Sequence, residues 1–331
     1  MSEKRKNCYQ IISEETNWQP PVLPEEIKQG DMPGDKISIG RDHIEKANRI
    51  FPELLKQLPK ILEKNLQGRA VITVCGGSGV GKSEIASLLS YYFQRMGIGS
   101  YTLSGDNYPR RFPVYNDAER LHIFRESALQ AMIEDGVYRE ERFHIIQGLQ
   151  KNGEDADDAH VIKYPWYSSY LAGGVKGLKS YLGTPDEINF DALTKIVSAF
   201  KDGEDEIWLK RMGREESELW FEKVDFSEVN ILIIEWTHGN SDFYKGVDIP
   251  VLLNSTPQET LAHRRARNRD GKTDSSFTMK VLELEQNMLR EQASKAKIIV
   301  TKQGELIDYK VYQSLMREAE EQLTAEPAEK Q

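Results

Sequence analysis

Two cysteines in 331 residues, Cys8 and Cys75, are too few for a disulfide framework, and neither stands at metal-ligand spacing from another Cys or from His. A reducing compartment fits that count. Basic excess is missing as well: 44 Lys and Arg stand against 53 Asp and Glu, a formal net charge of −9. A general nucleic-acid surface releases counterions through surplus Lys and Arg, so no nucleic-acid partner is expected, and any bound anion must be held by local geometry. No apolar run reaches the length of a membrane span, and the opening Met1–Glu15 lacks the apolar stretch of a secretory signal. The expected setting is cytoplasmic, without a membrane partner. What remains is 39% hydrophobic and 29% charged, the balance of an ordinary globular chain, long enough for one large domain with an appendage.

Residues 1–40 are rich in Pro, Glu, Lys and Gly, show no sustained period and read as an irregular arm able to wrap on the body. From Asp42 to Leu66, apolar residues fall near helical spacing but are interrupted by Pro52 and Pro59, which predicts two or three short helices. Residues 1–69 therefore precede the main body. Ala70–Cys75 is a β-branched, apolar run closed by Gly76, the pattern of a strand buried on both faces. An amphipathic helix from Ser83 to Met96 and a strand at Tyr101–Leu103 complete a β-α-β unit. Further strands are expected at 230–235, 249–254 and 297–301, giving an α/β three-layer body with a parallel sheet over 70–313. Residues 111–181 look like a helical insertion or cap, and 314–331 a helix end with a polar tail.

Between the first strand and its helix stands Gly76-Gly77-Ser78-Gly79-Val80-Gly81-Lys82-Ser83, the G-x-x-x-x-G-K-S pattern of a phosphate loop. Glycines let the backbone curl around phosphate and aim its N–H groups inward, and the helix N-terminus adds its positive dipole end. Lys82 can reach β- and γ-phosphates, and the Ser83 hydroxyl can ligate magnesium. ATP and Mg2+ are the cofactors this implies. The second strand runs into Ser104-Gly105-Asp106-Asn107-Tyr108, which puts Asp106 at a strand's carboxyl end beside the loop, where open α/β sheets bind ligands. A carboxylate there can take the proton of an attacking hydroxyl or hold magnesium. Alternatively it is a turn Asp bonded to its own backbone.

The loop followed by a strand ending SGDNYP resembles the family of uridine kinase, phosphoribulokinase and pantothenate kinase, in which that Asp is the base and an aromatic, here Tyr108, follows two residues later. Gly183-Thr184-Pro185-Asp186-Glu187-Ile188-Asn189-Phe190-Asp191 is similar to the segment that precedes a helix bordering the family's acceptor site. Ile234-Glu235 matches an apolar strand ending in Glu-Gly, with Trp236 in place of the Gly. Arg264–Asp270 resembles the Arg-rich lid: Arg265, Arg269 and Asp270 align, while Ala266 stands where a second Arg is usual. The resemblance implies a small-molecule kinase with Asp106, Lys82, Glu235, Arg265 and Arg269 as catalytic residues and Ser83, Asp106 and Glu235 around the metal. It covers most of 70–106 and 182–301.

Arg110 and Arg111 would suit an anionic acceptor or be surface charge. Tyr164, Trp166, Tyr167 and Tyr170 would stack on a substrate or form the core of the cap, and His238 lies on a loop near the expected site. A weaker likeness, in Gly105–Arg110 and Asn116–Arg120, is to adenylylsulfate kinase. A nucleotide switch without an acceptor is the remaining class. A homodimer stays open, and the acceptor is not legible.

Overall fold

A computed structural model describes residues 3–255, 259 and 275–325, with side chains from Cys8 to Ala319 within that set. Strand β1 is Ala70–Gly76, β2 Ser100–Ser104, β3 Glu206–Met212, β4 Leu219–Asp225, β5 Ile231–Glu235, β6 Ile249–Leu253, β7 Ile298–Val300 and β8 Leu306–Ile307. The main sheet has the order β2-β5-β1-β6-β7-β8. Its first five strands are parallel, as expected, whereas β8 pairs antiparallel with β7. The chain returns through residues 301–305, too few for the crossover that a parallel neighbour needs.

Every residue of β1 is buried, which only a strand covered on both faces permits. Its side chains alternate between the faces. Ile72 and Val74 pack with Leu54 and Leu58 of α2 (Arg41–Lys64) and Leu88 of α3 (Lys82–Arg95). Val71 turns the other way, toward Leu193 and Val197 of α8 (Phe190–Asp202). Cys75 shares that side with Leu289 of α9 (Ser276–Gln292) and Met316 of α10 (Tyr309–Ala325). Three layers result.

Two expectations for the N-terminal region are corrected. Residues Glu3–Glu14 form a helix, α1, rather than irregular chain, and Cys8 and Ile12 on it are buried. Arg41–Lys64 is one 24-residue helix containing both prolines, not several short ones. An interior proline costs a helix about 3 kcal/mol. Here the loss is offset by a continuous buried face, Ile50, Phe51, Leu54, Leu55, Leu58 and Leu62, each worth about 1.5–3 kcal/mol on burial.

Between β2 and α8 lie α4 (Pro113–Glu134), α5 (Glu140–Asn152), α6 (His160–Lys163) and α7 (Tyr167–Tyr181). Their core joins Phe124, Met132, Tyr167, Tyr170 and Leu178 to Val281 and Leu284 of α9. Tyr167 and Tyr170 also close on Asp155, donating to its backbone oxygen and carboxylate at 2.9 Å each. Tyr167 and Tyr170 are therefore core, with their hydroxyls satisfied internally, and Tyr164 and Trp166 pack against that core half-buried. Strands β3 and β4 form a separate antiparallel hairpin that the sequence reading did not anticipate.

Candidate active site

The phosphate loop leaves the carboxyl end of β1 at the centre of the sheet, where β5 and β2 lie to one side and β6 and β7 to the other. Ligands of open α/β sheets bind at that point, where strand order reverses. Gly76 is in register with Leu253, and a Cβ on it would sit 2.6 Å from the Leu253 carbonyl oxygen. Gly81, the residue before α3, has φ +91°, and a Cβ there would meet the His43 ring at 2.6 Å. Both positions admit only glycine. Gly77, Ser78, Gly79, Lys82 and Ser83 stay partly exposed, so the cradle opens outward. The first N–H groups of α3 have no partners within the helix and face this opening. Lys82 Nζ curls back and donates to the Gly77 carbonyl at 3.0 Å.

Strand register brings the acidic residues alongside. Ser104, the last residue of β2, pairs with Glu235, the last of β5. Its hydroxyl donates to Glu235 Oε1 at 2.5 Å, and the Ser83 hydroxyl donates to Oε2 at 3.1 Å. Asp106 follows on a single 3-10 turn, Gly105–Asn107, and is exposed. Burial, then the nearby Asp106 carboxylate, pushes the Glu235 carboxyl well above the usual range, against the pull of Lys82 and the two serine hydroxyls. Trp236 is accommodated because Gly105 has no side chain: a Cβ there would lie 2.1 Å from the indole.

This is a P-loop fold.

No protein-family model matches the chain. It is 37% identical over 265 residues, 80% of its length, to the bifunctional alpha-galactosidase/sucrose kinase AgaSK of Mediterraneibacter gnavus, and spans 23% of that protein. Among solved structures, it is similar to D-glycerate 3-kinase of Cryptococcus neoformans, at 10% identity and TM-score 0.45 over 79% of this chain and 97% of the other. A protein described as a fructose transport system kinase of Silicibacter sp. TM1040 gives 13% identity and TM-score 0.44 over 72% and 93%. At those scores the superpositions add nothing to what the P-loop and strand order already establish.

The residues present fit a nucleoside triphosphate with magnesium. The P-loop amides and Lys82 would hold phosphate, and Ser83, with carboxylate oxygens of Glu235 and Asp106, offers the hard oxygen donors that magnesium takes. Among the described residues no three His, Cys, Asp or Glu side chains gather as a metal cage. Phosphate and water would supply the remaining ligands, as is usual for magnesium.

The other expected residues fare differently. Tyr108 is 1% exposed and packs with Ile188 and Phe190. It is a wall of the core rather than a lining residue, because Tyr108 and Pro109 are stitched to the 188–189 segment through backbone bonds. Arg110 donates to the Pro185 carbonyl at 2.6 Å. Arg111 donates to the Tyr181 hydroxyl at 2.8 Å and pairs with Glu119 at 3.2 Å. Arg265 and Arg269, in the Arg264–Asp270 segment, lie outside the described residues.

A polar group that the sequence reading did not assemble joins α4 to the 183–187 segment, within electrostatic reach of Lys82. Glu187 is 1% exposed. Arg120 Nε donates to it at 2.6 Å, Asn116 Nδ2 at 2.8 Å and the Gly183 N–H at 2.5 Å. Burial alone would raise its carboxyl, but Arg120 and the Gly183 N–H hold it below the usual range. His238 is buried against Gly183 and Trp236. Burial brings its imidazole down to about 4, with Glu187 pulling the other way. Glu285 of α9 is close enough to sense Lys82, Asp106, Arg120 and Glu187, and burial pushes its carboxyl up. The only hint in the sequence was that Glu187 and Arg120 each fall in a segment with a family likeness.

Proposed function

We propose that this chain is an ATP-dependent kinase that transfers the γ-phosphoryl group to a hydroxyl of a neutral sugar, by the in-line chemistry of the uridine kinase and phosphoribulokinase kind. The observation that carries the reading is the convergence of the Ser83 and Ser104 hydroxyls on Glu235, with Asp106 on the next turn beside the phosphate loop. In this reading the Asp106 carboxylate takes the proton of the acceptor hydroxyl as that oxygen attacks phosphorus, and ADP leaves. Lys82 and the amides of Gly77–Lys82 bear the charge of the transferred group. Magnesium held by Ser83 and Glu235 would supply neutralisation of phosphate charge.

The acceptor's neutrality is supported by a census of cations. An anionic acceptor, such as a sugar phosphate or adenylylsulfate, needs guanidinium groups to spare. Among the described residues around Asp106, Arg120 is paired with Glu187, Arg111 with Glu119 and Tyr181, and Arg110 is turned to a carbonyl. The exposed Asp106 carboxylate remains, a group that accepts from a hydroxyl and repels an anion rather than pairing with it. The sucrose kinase in the name of the 37% identical relative points to the same acceptor class.

The test is ADP release from magnesium ATP with sucrose, monosaccharides, glycerate, nucleosides, sugar phosphates and adenylylsulfate, run beside Asp106→Asn. A neutral sugar should stimulate release in the wild type and not in the variant. Preference for an anionic acceptor would overturn the sugar assignment, and tight ATP binding with no stimulation by any compound would overturn the kinase.

A further inference from the structure

The arm between α1 and α2 reaches the candidate active site through one side chain. Asp31 lies in this irregular stretch, yet its side chain is only 8% exposed. Its Oδ1 accepts the backbone N–H of Ser104 at 2.7 Å and Nδ2 of Asn107 at 3.2 Å. Its Oδ2 accepts the Tyr101 hydroxyl at 2.9 Å and faces Arg211 at 3.0 Å. Arg211, on β3, also binds Glu222 at 3.0 Å and donates to the Tyr101 hydroxyl at 2.8 Å. Asn107 is held from its other end, its Oδ1 accepting the Met212 N–H at 3.0 Å.

These bonds bracket Asp106: Ser104 stands two residues before it and Asn107 one after. Strand β2 is the edge of the sheet, with a strand partner on one side only. An edge strand leaves backbone donors unpaired, and its last turn is free to shift unless something covers it. Asp31 supplies that cover at the one N–H next to the turn. Tyr101 and Arg211 fix the carboxylate in turn, so the grip is made of charge-assisted bonds in a buried setting. The same carboxylate answers the buried Arg211 guanidinium, so the cost of removing its charge from water is met by a partner as well as by the Ser104 and Asn107 donors.

We propose that Asp31 is a positioning residue for Asp106: through Ser104 and Asn107 it fixes the turn that aims the Asp106 carboxylate at the acceptor hydroxyl. The inference rests on the kinase reading for its consequence in turnover. A base displaced by about 1 Å loses up to roughly 10²-fold in rate while binding is spared. Asp31 therefore acts on kcat and leaves nucleotide affinity alone.

The experiment compares wild type, Asp31→Ala, Asp31→Asn and Asp106→Asn in three measurements: ATP affinity and stoichiometry, kcat and KM with the stimulating acceptor, and amide exchange of the 100–108 peptide. Asp31→Ala should lower kcat by 10-fold or more per ATP-binding site, leave the ATP Kd and acceptor KM within twofold, and speed exchange at Ser104 while β1 and β5 stay protected. Asp31→Asn, which keeps an acceptor oxygen and the shape, should fall in between, and it carries the test where the alanine variant fails to fold. A kcat within twofold of wild type in both variants overturns the proposal, as does a fall that follows the loss of ATP-binding sites. If the wild type itself shows no acceptor-dependent turnover, the kinase reading has failed. Exchange at Ser104 then decides separately whether Asp31 holds the turn, and unchanged exchange overturns that as well.

Discussion

On the phosphate-loop side the site is made of backbone: glycines that admit no side chain, the first amides of α3, and a lysine and serine that open the helix. On the side facing α4 it is made of side chains that hold one another, with Glu187 gripping Arg120, Asn116 and the Gly183 N–H beneath a buried His238. The first arrangement depends on space and dihedral angle; the second depends on each charge having its partner. A backbone cradle tolerates many neighbours but no Cβ. A buried ion pair tolerates removal of both members far better than removal of one.

The comparison is sharpest at Asp106, where the two sides meet. Replacement by Asn should lower turnover by roughly 10²–10⁴-fold, the usual worth of a general base, with ATP affinity unchanged in a binding titration. Next in size is Glu187→Gln, which removes the buried carboxylate of the pair and leaves Arg120, 16% exposed, with Asp117 at 3.5 Å as its remaining ion-pair partner. Urea unfolding should show a loss of up to about 3 kcal/mol, since Asp117 still answers part of the guanidinium charge, and a double replacement of Arg120 and Glu187 by Met should recover most of it. If the single variant were as stable as wild type, the α4 side would not depend on paired charge. Gly81→Ala tests the other side. Strain in the left-handed region costs about 1–2 kcal/mol and crowding against His43 about 1–3 kcal/mol more. Adding His43→Ala should restore only the crowding part, and full restoration would mean the dihedral does not matter.

The smallest effect is pH-dependent. His238 is held down to about 4 in the fold, whereas an unfolded histidine titrates near 6.5. Between those values the unfolded chain binds a proton that the folded one refuses, so stability falls as pH falls through that window. From pH 7 to pH 5 the loss should be about 2 kcal/mol, and His238→Gln should remove that share of the slope in paired urea titrations.

The same division explains what could be read from the sequence. The cradle is contiguous, residues 76–83; Glu235 closes the β-branched run Ile231–Glu235, and Asp106 follows the short strand Ser100–Ser104 by one turn. Glu187 and Arg120 are 67 positions apart and Asp31 and Ser104 are 73 apart, so no local period marks either pair. Tyr108 is a related case: its interval from Asp106 is visible in sequence, whereas its burial follows from the pairing of Pro109 with Ile188, a long-range contact. Helix α2 was broken into pieces because proline propensity is local, while the buried face that overrides it is visible only once the sheet is present.

Cys8 and Cys75 are both free and buried, one on α1 and one inside the central strand, and burial raises both thiols to about 12. Neither reacts readily with an alkylating reagent while covered, since the thiolate is the nucleophile. Each therefore serves as a clock: modification of Cys8 counts the moments when the first helix lifts from the body, and modification of Cys75 counts openings of the sheet itself. Two labelling rates from one unmodified chain would separate a local detachment from a global one.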